Sequence, residues 1–188
     1  MTSDTVEKLY KEYQTPAHVI AHCKKVAYVA SKIADEYMKK GFPIDIENLN
    51  FACLLHDVMR IIDFNAGGKY SEMQKKLQEM YPGMDHSMAA YAMLSEMGEP
   101  VIANMIKKHA FDGIMIKENH PFTLEEKIMT YADKRVLHED IVSLKERFED
   151  GKKRYNPNNE NQKRENAAYK AYFALEEELL KCCGSSAP

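Results

Sequence analysis

The sequence predicts an all-α protein, one compact bundle of roughly seven to nine helices. Two observations carry this. Apolar residues recur at spacings of three and four along most of the chain, and capping residues, glycines and prolines cut it into segments of helical length. No run of alternating residues makes a convincing strand, and no internal repeat is present.

The elements follow in order. Thr15 reads as an N-cap with Pro16 in the first turn, and Val19, Val26, Val29, Ile33 and Tyr37 continue at helical spacing until Gly41. A second helix is expected over about 45–58, burying Leu49, Phe51, Leu54 and Leu55, before the stretch DFNAGGKY breaks it. Ser71 caps a short helix to about Met80, which Pro82 and Gly83 end. Helices over about 86–97 and 100–109 follow, the first stopped by Gly98 and the second opened by Pro100. Residues 111–122, with Gly113 and Pro121, read as a loop. Thr123 and Glu126 form a capping box ahead of a helix over about 124–137. A helix over about 141–149, a polar Asn-rich surface loop over 150–165 and a last helix over about 161–181 complete the chain. Residues 1–150 are expected to form one domain, with 151–188 a loop and helix packed on it or extending it.

Composition excludes more than it identifies. Hydrophobic residues make up 45% and charged residues 29% of 188, the balance of a soluble globular chain. Net charge is −3, and no basic run carries interleaved aromatics, so nucleic acid is not the expected partner. The polar, acidic N-terminus is unlike a signal peptide, and no apolar stretch is long enough to span a bilayer. Cys23, Cys53, Cys182 and Cys183 form no CxxC pair and read as free thiols, consistent with the cytoplasm. Met73, Met80, Met84, Met88, Met93 and Met97 read as core packing.

Six residues stand out chemically. His22 lies between Val19 and Val26 on an apolar face. His56 and Asp57 are adjacent in the apolar run FACLLHDVMRII. With seven His and ten Asp in 188 residues, chance supplies roughly 0.4 such dipeptides, so the pair needs context. His86 opens a helix, His109 closes another, and Asp133 sits among Ile128, Met129 and Ala132. A carboxylate on an apolar face is costly unless paired or bound to a cation. Each residue has a plainer reading: His22 as a satisfied core histidine, Asp133 as a partner of Lys134 or Arg135, His86 as a helix start capped by Asp85, His109 as a C-terminal histidine favoured by the helix dipole. His18 reads as structural or cleft-lining, and His120 and His138 as exposed. Together, four imidazoles and two carboxylates suit two transition-metal ions with one bridging carboxylate.

The order His22, His56-Asp57, His86, His109, Asp133 resembles the HD-domain metal-dependent phosphohydrolases. The strings AHCKKVAYVASKIA, FACLLHDVMR, HSMAAYAMLSEMG, IKKHAFDG and LEEKIMTYADKRV are similar to the family's ligand-bearing helices, over about residues 15–140. Small stand-alone HDIG-type members and diadenosine-tetraphosphate hydrolases of the HD type resemble it best, with Val58-Met59 standing where Ile-Gly is common. The resemblance implies that His22, His56, Asp57 and Asp133 hold a first ion, and that Asp57 bridges to a second held by His86 and His109. It implies one or two divalent transition-metal ions, iron first, then Mn, Ni, Co or Zn, with Mg last. It further implies a metal-bound hydroxide cleaving a phosphate ester or a nucleotide phosphoanhydride, with Asp57 and Arg60 catalytic. Arg60, if the helix continues, shares the face of His56 and can fork onto a phosphate. Lys108 and Lys134 are further candidates for phosphate contacts, and Asp112 for orienting a ligand imidazole. The partner expected is a small phosphorylated molecule, a nucleotide foremost. The alternatives are an HD-scaffold nucleotide-binding or regulatory module without turnover, and a di-iron oxygenase on the same scaffold.

Overall fold

The structure is a computed structural model that describes residues 1–64, 67, 69–156, 158 and 160–183. Among them are nine α-helices: α1 (Ser3–Glu12), α2 (Ala17–Lys39), α3 (Ile46–Leu55), α4 (Glu72–Met80), α5 (His86–Glu96), α6 (Pro100–Lys108), α7 (Leu124–Lys134), α8 (Leu144–Tyr155) and α9 (Gln162–Cys183). Short 3₁₀ turns cover Arg60–Asp63, Gly113–Met115 and Lys117–Asn119. Two strands of two residues, β1 (Val136–Leu137) and β2 (Asp140–Ile141), pair antiparallel. The all-α architecture is the one the sequence predicts.

Side-chain caps place the helix starts. Ser71, Asp85 and Thr123 each accept from a backbone N–H three residues on, and Glu126 completes the box at α7. Ser143 and Glu146 form a second capping box, which moves the start of α8 from the expected 141 to Leu144. The β1–β2 hairpin occupies the intervening residues, so α7 ends at Lys134 rather than near 137. The stretch 150–155, expected as loop, is the second half of α8. Its charges belong to the outer face of a helix whose buried residues are Leu144 and Phe148.

The N-terminal segment forms α1, which the sequence pattern left unassigned. Val6, Leu9 and Tyr10 give it a narrow buried stripe. Thr15 is not the cap of α2: Pro16 takes that position, and the Thr15 hydroxyl donates instead to the Val58 carbonyl at 2.6 Å. That bond ties the start of α2 to the turn after α3.

Helix α2 is central, packing on α3, α7, α9 and β1, while α3 also meets α6 and α7, and α5 lies on α6. Small and β-branched residues of α2 (Val26, Val29, Ala30, Ala34) are buried and let its neighbours approach closely. Helix α9 buries Ala168, Tyr172, Leu175 and Leu179 at spacings of four, three and four. The Tyr172 hydroxyl donates to the Phe111 carbonyl at 3.2 Å and the Tyr37 hydroxyl to the Leu179 carbonyl at 3.1 Å. Each fully buried leucine of this seam contributes about 2 kcal/mol. Met80, Met84 and Met97 are exposed, against expectation, because they stand at helix ends and in the Pro82-Gly83 turn where the chain leaves the core. Cys23 and Cys53 are buried free thiols. Among the described residues no helix is long and apolar enough to cross a membrane.

Candidate metal centre

The six residues converge. His22 comes from α2, His56 is the C-cap of α3, Asp57 follows it, His86 is the first residue of α5, His109 caps the end of α6, and Asp133 lies in the last turn of α7. Helix α3 stops at Leu55, short of the expected 58, and the chain turns through residues 56–59. The turn has a consequence. Neighbours on a continuous helix point about 100° apart, whereas here His56 and Asp57 both face the same centre.

Asp57 faces two sets of nitrogens with its two oxygens. Oδ1 lies 3.1 Å from His86 Nε2 and 3.7 Å from His109 Nε2. Oδ2 lies 3.6 Å from His56 Nε2. On that second side Asp133 Oδ1 is 3.1 Å from His22 Nε2 and 3.5 Å from His56 Nε2. Two groups that could hold a metal ion result, His22–His56–Asp57 and Asp57–His86–His109, each with its donor atoms within 4.8 Å of one another. Two donors about 2.1 Å from one tetrahedral or octahedral ion stand roughly 3.0–3.4 Å apart, close to the separations here.

All four rings are turned the same way. His56 Nδ1 donates to the Cys53 carbonyl at 2.8 Å and His109 Nδ1 to the Ile106 carbonyl at 2.5 Å. Both are C-cap residues folded back onto a carbonyl that the helix end leaves free. His22 Nδ1 is 3.2 Å from the carbonyl of His138. His86 Nδ1 meets Asp63 Oδ2 in a short bond, and Asp63 Oδ1 accepts the His86 backbone N–H at 3.2 Å. With Nδ1 engaged, each Nε2 is left facing the centre, and presents a lone pair there once any second proton is displaced.

One observation tests whether a cation fits. His56 Nε2 is buried and has no hydrogen-bond partner. A buried polar nitrogen without a partner is costly whether or not it carries a proton, and a positive ion bound to it removes that cost. The donor set, imidazole nitrogen with carboxylate oxygen, is that of first-row transition metals.

Electrostatics agree. Burial would raise the Asp57 and Asp133 carboxyls, yet both lie well below the usual range. His56, His109 and His86 hold Asp57 ionised; Lys134, His22 and His56 do so for Asp133. Burial pushes His109 down to about 4, so it stays neutral. Burial opposes charge on His56 and His86 as well, but their acidic neighbours outweigh it and raise both.

The remaining candidates fare differently. Arg60 lines the cavity over the centre, on a 3₁₀ turn rather than a continued helix, and shares Asp63 with His86 at 3.2 Å. Lys134 also lines that cavity, its ammonium 2.5 Å from Asp133. Lys108 is taken up by Glu126 at 2.6 Å. Asp112 pairs with Arg164 at 2.5 Å rather than with an imidazole; the Ile106 carbonyl orients His109 instead. His18 stacks on Phe64, and His120 Nδ1 bonds the Ile114 carbonyl at 2.8 Å. Asp63 and His138 were not signalled as partners of the centre. His138 acts through its backbone, in the left-handed region at φ 57°, and nothing in its side-chain type announces that.

The fold and the centre define a helical protein with a paired His/Asp site able to hold divalent metal. Residues 19–136 match the HD domain family, more than half of the chain, and the protein belongs to that family. HD domains form a superfamily of metal-dependent phosphohydrolases. The chain is also 30% identical over 134 residues to an uncharacterized protein of Methanocaldococcus jannaschii, covering 66% of this chain and 73% of that one. No solved structure matches at a significant level. Helices α8 and α9 lie beyond the HD match.

Proposed function

We propose that the protein hydrolyses a phosphate ester or a nucleotide phosphoanhydride at a dinuclear metal centre. The observation that carries this reading is Asp57, whose two oxygens face two separate histidine groups. His22, His56, Asp57 and Asp133 would hold one ion, and His86, His109 and Asp57 the other. When bound, such a pair supplies an acidified water and screens the charge of a phosphate.

The chain's own groups do the rest. Arg60 keeps its charge: burial opposes it, but Asp57 and Asp63 outweigh that and raise its pKa. Its guanidinium, 3.2 Å from His86 Nε2, would meet non-bridging oxygens as negative charge builds on them. Lys134 holds Asp133 ionised and offers a second positive group to the cavity. The cavity, about 570 Å³, is of the size that encloses a small molecule.

Four imidazoles favour iron, then Mn, Ni, Co or Zn, over Mg. The sequence resemblance proposed above to HDIG-type members and diadenosine-tetraphosphate hydrolases would direct the substrate search to nucleotides. The buried free thiols suit a reducing compartment such as the cytoplasm. The test is a panel of phosphomonoesters, phosphodiesters and nucleotides assayed on metal-reconstituted protein, with Asp57→Asn as control. Release of phosphate or alcohol that Asp57→Asn abolishes supports the reading. Binding without turnover on protein carrying both ions overturns it in favour of a regulatory module.

A further inference from the structure

A second cavity, about 590 Å³, also reaches the centre. Both cavities are lined by His22, Asp57 and Arg60, and both by Arg147 and Tyr155. The last two residues belong to α8, outside the HD match. They stand where the two spaces meet. Arg147 Nε donates to the Val136 carbonyl at 3.1 Å, which fixes the side chain against β1. Among the described residues its guanidinium has no carboxylate partner, unlike Arg154, which pairs with Asp150, and Arg164, which pairs with Asp112. Tyr155 reaches across to Arg60.

Each cavity is walled by rings. Phe111, Phe148 and Tyr169 line the first, with Phe148 and Tyr169 stacked at 4.4 Å. The stacked pair His18 and Phe64 lines the second. Either volume alone suffices for one small organic group. A phosphate with a single substituent would leave one ring-lined cavity unused.

We infer that the substrate carries an organic group on each side of the attacked phosphorus, a phosphodiester or an internal phosphoanhydride, and that Arg147 and Tyr155 are the specificity-determining residues that seat it. This rests on the phosphohydrolase reading and narrows it. In the reaction a water oxygen forms a new bond to phosphorus, the P–O bond to one arm breaks, and that arm leaves with a proton from the water. The other arm stays in its cavity on the new phosphate. Arg147, at the junction, holds the arm of the second cavity where it joins the phosphorus, a contact that a monoester lacks.

The experiment compares a nucleoside p-nitrophenyl phosphate diester with p-nitrophenyl phosphate, a monoester with the same leaving group, on the metal-loaded full chain. The diester is expected to have a kcat/KM at least about tenfold higher, the size of one charge-assisted contact. Arg147→Ala is expected to lower the diester value about tenfold or more beyond any loss on the monoester, so that the diester-to-monoester ratio falls. Tyr155→Ala, at an exposed position where folding is not at stake, is expected to move the same ratio in the same direction. A non-hydrolysable phosphonate diester, followed by calorimetry, is expected to bind Arg147→Ala about tenfold more weakly. A monoester turned over as well as the diester, or variants that lower both alike, overturn the inference. If neither substrate is cleaved, the phosphohydrolase reading fails, and the phosphonate titration then decides on the cavities alone: unchanged binding to Arg147→Ala overturns the two-armed site.

Discussion

His86 Nε2 and His109 Nε2 face each other at 3.2 Å, and each ring has its Nδ1 engaged elsewhere, by Asp63 and by the Ile106 carbonyl. Two lone pairs at that distance repel unless a proton or a cation lies between them. Asp57 Oδ1, 3.1 Å from the first nitrogen, adds a third negative pole to the same spot. The arrangement stores affinity for positive charge at a point that the bundle core would otherwise keep apolar.

Loss of Asp57 should be felt on both sides of the centre. Asp57→Asn keeps the shape but removes the charge and one good acceptor. Turnover is expected to fall by at least about a hundredfold, near 3 kcal/mol of transition-state stabilisation, and further than for any single histidine changed to alanine. Metal content and kcat measured together check this; full metal with full turnover would sink the bridging role.

Asp63 should tune one ion and not the other. It orients His86 by ring and by backbone, and touches neither His22 nor His56 in the bonds it makes. Asp63→Asn is expected to weaken the weaker of two metal-binding steps by about 10–100-fold and to leave the other step within error. A metal titration followed by calorimetry reads both steps, and an equal loss at both would contradict the assignment.

Metal binding should strengthen as pH rises. His56 and His86 have raised pKa values, so in the metal-free site each holds a proton below and around its ordinary value of 6.5, and an incoming ion must displace it. His109, at about 4, and the two carboxylates, lower still, are already deprotonated above pH 5 and add no slope there. Affinity is therefore expected to climb up to about tenfold per pH unit for each displaced proton, and to flatten once pH exceeds the two raised values. Equal affinities at the acidic and neutral ends of this range would refute the proton competition.

Thr15 should matter for stability despite its distance from the chemistry. Its hydroxyl is the donor to the Val58 carbonyl in a buried bond of 2.6 Å. Thr15→Val leaves that carbonyl without the donor, at a cost of about 1–3 kcal/mol. A drop in melting temperature of roughly 5 °C is expected for a chain of this size. An unchanged melting temperature would mean the bond contributes nothing net.

Much of the fold is legible in the sequence. Caps at Ser71, Asp85 and Thr123, stops at Gly41 and Gly98, and apolar spacing along α2 write the helices locally. His22, His56, Asp57, His86, His109 and Asp133 were legible as polar residues in apolar settings and in an ordered resemblance. What surrounds them was not. The Asp63 contact spans 23 positions, and the His138 carbonyl reaches His22 across 116. Helix α8 extends through a stretch so polar that it reads as loop, and only tertiary packing brings Arg147 and Tyr155 over the centre.

The most direct test of the paired centre is the metal count per chain. Protein purified without chelators, then equilibrated with excess iron or manganese and desalted, should carry two ions by elemental analysis. His109→Ala should carry one, because the His22 group remains whole. One ion in the unaltered chain, or none, would contradict a centre in which Asp57 serves two metals.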